Sequence, residues 1–142
     1  MSLESIKLLV DELTTLHVTR GVQPSELVDN IFEDDYVESA SRKTQSGIVF
    51  EITFLETDDD GCASKVTMRY TYDQRRYLVL VEQKVAAKKF SVQWDRAVAI
   101  QDRVTKLEAS LYEKLPQDQV QEMLSSMPED FAQQFPRLKL AA

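Results

Sequence analysis

The chain has 142 residues, 24 acidic and 17 basic, for a net charge of −7, with 43% hydrophobic and 29% charged residues. That length suits one domain, and the apolar content is enough for a packed core, which excludes wholesale disorder. Three glycines leave little for a phosphate-binding loop, and a single cysteine and a single histidine exclude an intrachain disulfide and a Cys/His zinc site.

A first helix is predicted after Ser2, a good N-cap, from the stripe Ile6, Leu9, Val10, Leu13 and Leu16. Pro24 opens a short second helix in which Leu27, Val28, Ile31 and Phe32 share a face. Residues 37–46 are polar and aperiodic, and read as a loop.

The period then changes to two. Ile48, Phe50, Ile52 and Phe54 alternate with Val49, Glu51, Thr53 and Leu55, which predicts a strand. Asp58-Asp59-Asp60-Gly61 reads as a turn. In the next strand Val66, Met68, Tyr70 and Tyr72 oppose Lys65, Thr67, Arg69 and Thr71. Asp73-Gln74-Arg75 forms a second tight connection. The segment from Tyr77 to Gln83 is apolar on both faces and is predicted to be the most buried strand. Phe90, Val92 and Trp94 alternate in a fourth strand. Such short connections imply an antiparallel meander of three or four strands.

The helical period returns with Ala97, Ile100, Val104, Leu107 and Leu111, the longest helix, ending near Leu115 before Pro116. Residues 116–142 form a proline-broken helical segment. Val120, Met123, Leu124 and Met127 share one of its faces, and Phe131 and Phe135 stand four apart. The expected fold is therefore a single α+β domain over 1–142. It has an N-terminal helix, the meander, and the long C-terminal helix plus short helices packed on one face of the sheet.

Charge and composition bound the function. The acidic balance opposes nucleic-acid binding, which needs clustered Lys and Arg. No apolar run nears the about 18 residues of a membrane helix, and no basic leader precedes an apolar stretch. An intracellular, most simply cytoplasmic, protein is expected, with another protein as its partner.

No catalytic constellation stands out. His17 sits at the end of the first helix, where the dipole favours it. Cys62 follows three aspartates, a setting that opposes a thiolate. The consecutive aspartates lack the alternate-position spacing of a calcium loop. No nucleophile elbow, Walker loop or dinucleotide fingerprint is present. No catalytic, cofactor or metal residue is therefore assigned.

Two candidate surfaces remain. Tyr72, Arg75, Arg76 and Tyr77 flank the second hairpin turn, and Tyr and Arg are enriched where partners bind. Ile100, Val104, Leu107 and Leu111 form a seam with heptad spacing that suits either the core or a homodimer helix.

The element order resembles that of RWD-type interaction domains, which implies a docking module without catalysis, although the Tyr-Pro common after the sheet in that family is missing here. The class is also similar to small acidic secretion chaperones. The leading expectation is a non-enzymatic protein-binding domain acting as adaptor, assembly factor or chaperone-like module. The alternative is a small-molecule-binding or enzymatic α+β fold with a cavity between sheet and long helix, lined by groups such as Thr67, Arg69 or Glu51.

Overall fold

The computed structural model describes residues 2–110 and 116–132. The fold is α+β, with an N-terminal helix, a five-stranded antiparallel sheet and C-terminal helices. By its internal contacts the chain divides into two compact units, Arg20–Arg96 and the combination of Met1–Thr19 with Ala97–Ala142.

The helical unit is built from α1 (Leu3–Val18), α3 (Arg96–Ser110, all but its first residue), α4 (Gln117–Ser125) and α5 (Glu129–Ala132). Ser2 caps α1, its hydroxyl accepting the Ser5 N–H at 3.2 Å. The stripe read from the sequence faces inward. Ile6, Val10 and Leu13 pack with Val104, Leu107, Val120, Leu124, Met127 and Phe131. Each such side chain, taken fully from water, is worth about 1.5–3 kcal/mol before entropy is charged against it. A bond from Arg103 Nε to Glu12 Oε2 at 2.9 Å ties α3 to α1. Ser110 is buried without an unmet bond, because its hydroxyl donates to the Leu107 carbonyl at 2.6 Å.

The sheet unit opens with a short helix, α2 (Pro24–Leu27), and a 3-10 turn over Val28–Phe32. Five strands follow in sequence order: β1 (Tyr36–Lys43), β2 (Gly47–Thr57), β3 (Ala63–Asp73), β4 (Leu78–Val85) and β5 (Ser91–Asp95). The predicted alternation holds in register, since Phe50 pairs with Tyr70 and Ile52 with Met68 on one face. That face carries the sheet core of Phe50, Ile52, Tyr72 and Leu78, with Leu27 of α2 packed against it.

Two expectations need correction. Residues 37–46, read as a loop, mostly lie in β1 and its turn, so the sheet has five strands rather than three or four. The reason is position. β1 pairs only with β2, its side chains from Ala40 to Lys43 are exposed on both faces, and an edge strand of this kind shows no apolar alternation. The strand predicted to be most buried is β4, yet within it only Leu78 is buried. The short β5 covers its flank from Leu80 to Gln83 alone, and β2 supplies the most buried positions, Val49, Phe50, Ile52 and Thr53.

Candidate partner-binding site

The turn between β3 and β4 is held by one carboxylate. Asp73 Oδ1 accepts the backbone N–H groups of Arg75 and Tyr77, both at 2.9 Å. The Asp73 N–H donates to the Tyr77 carbonyl at 3.0 Å, and the Arg76 N–H to the Asp73 carbonyl at 3.1 Å. These bonds place Arg76 in the left-handed region, at φ 71°. Glycine is the usual occupant of that position in such hairpins, and a side chain there costs about 1–2 kcal/mol.

The segment before α2 straps the start of this hairpin. The Leu78 N–H donates to the Arg20 carbonyl at 2.7 Å. Gln23 Nε2 donates to the carbonyls of Gly21 and Arg76, each at 3.1 Å. The approach needs glycine at position 21, where φ is +88° and an added Cβ would stand 2.9 Å from the Leu78 Cβ. Tyr72, one of the predicted contact residues, is only 3% exposed, and its hydroxyl donates to the Val22 carbonyl at 2.7 Å. Burial pushes this hydroxyl up to about 12, with Tyr70 and Glu26 adding to the shift. Tyr72 thus anchors the strap from below.

Three guanidinium groups surround the Tyr77 ring. Arg96, Arg75 and Arg20 stand 5.0, 5.6 and 6.0 Å from its centroid, within cation–π range. Arg96 is fixed by a bond from its Nε to the Leu78 carbonyl at 2.7 Å and also lies 5.5 Å from Trp94. Burial lowers its pKa, but a guanidinium stays charged. Among the described residues no ion pair engages Arg20, Arg75 or Arg76. Beside the turn runs a groove of about 530 Å³, lined by Gln23, Pro24, Lys43, Ile48 and Arg76 among others.

The polar residues considered for a cavity lie on the sheet face away from Leu27 and satisfy one another. Arg69 makes two bonds to Glu82, at 2.8 and 2.9 Å, and Glu51 sits 3.9 Å from Arg69 and 3.7 Å from Arg42. The bond to Glu82 raises the Arg69 pKa, against a smaller lowering by burial. Thr53 and Thr67 bond to each other across the strands at 2.8 Å. Of the predicted helix seam, Val104 and Leu107 are buried in the helical unit's own core and Ile100 packs against it, while Leu111 lies outside the described residues.

His17 Nε2 is 3.2 Å from Asp130 Oδ2 within the helical unit. Cys62 is exposed in the β2–β3 turn. Among the described residues, no three His, Cys, Asp or Glu side chains gather where a metal ion would be held, and no helix is long and apolar enough to cross a membrane. Sequence reasoning found the hairpin arginines but missed Arg20 and Arg96, which reach the same ring from distant parts of the chain. A glycine next to Arg20 is a local signal that could have marked the close backbone approach. Comparison with models of protein families, with curated proteins and with solved structures finds no match for this chain.

Proposed function

We propose that the protein is a non-catalytic protein-binding module, acting as adaptor, assembly factor or chaperone-like factor, and that its β3–β4 turn docks an acidic segment of another protein. The observation that carries this reading is the ring of Arg20, Arg75 and Arg96 about Tyr77 in a chain of net charge −7. A concentrated basic surface attracts acidic segments and steers them toward it. Tyr77 adds a rigid aromatic body, and the neighbouring groove gives room for the segment's apolar side chains. The lone exposed thiol of Cys62 suits a reducing interior.

The test is titration of a fluorescently labelled, Glu-rich peptide by anisotropy, with a Lys-rich peptide of the same length as control. The acidic peptide should bind, and binding should weaken with salt as the screening length shortens toward about 8 Å. Arg75→Glu with Arg76→Glu should lower the affinity at least tenfold while the circular dichroism spectrum stays unchanged. Equal binding by the reversed variant, or equal binding of both peptides, would remove the reading.

A further inference from the structure

A second surface is independent of the hairpin and lies along β1. The backbone bonds of β1 to β2 fix which of its groups point outward. The Thr44 N–H donates to the Gly47 carbonyl at 2.8 Å, and the Leu55 N–H to the Asp35 carbonyl at 2.7 Å. The odd-numbered residues of β2 from Gly47 to Leu55 therefore turn their backbone groups toward β1, as antiparallel alternation requires. Their register partners Arg42, Ala40 and Glu38 turn theirs toward β2. It follows that Ser39, Ser41 and Lys43 direct their N–H and carbonyl groups away from the sheet. Among the described residues no strand pairs there, since β1 is an end of the strand order.

Edges are usually blunted by proline, by a bulge or by charged side chains, lysine above all. β1 carries charges at Glu38, Arg42 and Lys43, so a pairing strand must match them. From Glu38 to Lys43 the strand has no proline and an unbroken register, and the one irregularity falls before Glu38. Its middle, Ser39-Ala40-Ser41, carries only small side chains.

The side chains on one face of the sheet specify the occupant. Glu82, Arg69, Glu51 and Arg42 form a row of alternating sign across β4, β3, β2 and β1. Arg42 ends the row with its side chain 62% exposed. Glu38 shares its face, is exposed, and has no ion pair among the described residues. Suppose a second β1 pairs antiparallel about Ala40. Ser39 then meets Ser41 of the other copy in hydrogen-bonded pairs, which the outward backbone groups allow. Arg42 meets Glu38 of the other copy, and Glu38 meets its Arg42, at positions that are not hydrogen-bonded, where side chains stand closest. The alternation of charge then continues through the junction into the second sheet.

We propose that the β1 edge is a self-association surface, on which two copies of this chain join their sheets antiparallel about Ala40. The pairing is isologous, as a two-fold dimer requires. The full chain should show a dimer population by sedimentation equilibrium that grows with concentration. Glu38→Arg alone and Arg42→Glu alone each place like charges opposite one another, and each should leave a monomer over the same range. The double variant carrying Glu38→Arg and Arg42→Glu should recover the dimer. Ser41→Pro removes an outward N–H without touching the bonds to β2, so it should keep the fold and lose the dimer. A wild-type monomer at every concentration overturns the proposal. So does a dimer that persists in Ser41→Pro, or a double variant that fails to recover association.

Discussion

Two hairpins of the sheet have the same backbone and opposite chemistry. In the β2–β3 turn, Asp58 Oδ1 accepts the N–H groups of Asp60 and Cys62, the Asp58 N–H donates to the Cys62 carbonyl, and the Gly61 N–H to the Asp58 carbonyl. In the β3–β4 turn, Asp73 plays the part of Asp58, with Arg75, Arg76 and Tyr77 in place of Asp60, Gly61 and Cys62. The left-handed position is glycine in the first turn, at φ 81°, and arginine in the second, at φ 71°. The first tip is acidic and open. The second gathers guanidinium groups about an aromatic ring. Folding alone does not select Arg76, because the same turn closes at lower cost with glycine. A strained residue at an exposed tip is what the proposed docking role would call for.

The largest expected effect concerns what lies beneath the basic turn. The Tyr72 hydroxyl ionises near pH 10 in the unfolded chain and near pH 12 when folded. Its contribution is complete below pH 10, and stability falls as the pH rises toward 12, because the unfolded state gives up its proton first. Tyr72→Phe should remove about 2 kcal/mol of that alkaline loss while costing its bond to Val22 at neutral pH. Urea midpoints measured across this range check it, and an unchanged slope in the variant would contradict the burial of Tyr72.

Next, Asp58→Ala and Asp73→Ala should each destabilise by about 1.5 kcal/mol, since each frees two turn N–H groups from a charged acceptor. Chemical denaturation should give two costs that agree within about 0.5 kcal/mol. A wide gap would mean that the turns are not equivalent. The smallest effect is expected for Gly61→Ala, about 1 kcal/mol of destabilisation, because no atom lies near the added Cβ and only the backbone resists.

The interior of the sheet was legible because one of its faces is apolar at every second position, even where the other face is also partly buried. Ile48 to Phe54 and Val66 to Tyr72 alternate in type, and their pairing follows from the tight turn between them. β1 was not legible, since an edge strand exposed on both faces has no reason to alternate. The apolar stripe of α1 and the middle of that of α3 were legible because both close one core, which holds Ile6, Leu13, Val104 and Leu107, while Ala97 at the head of the predicted α3 stripe is exposed. The candidate site was half legible. Arg75, Arg76 and Tyr77 are neighbours in sequence, but Arg20 and Arg96 join them only through the strap and the start of α3, which leave no local pattern. That Tyr72 anchors from within, where its place beside the turn suggested a contact residue, became visible only with its bond to Val22.

One substitution, read two ways, tests whether Arg76 serves contact rather than folding. Arg76→Gly should raise stability by about 0.5–1 kcal/mol in chemical denaturation, because it relieves the left-handed strain against a more flexible unfolded chain. The same variant should bind the labelled acidic peptide several-fold more weakly. Opposite signs in the two readings are what a residue kept for contact, at a cost to the fold, requires. A variant that is less stable than the wild type, or that binds the peptide equally well, would contradict the account.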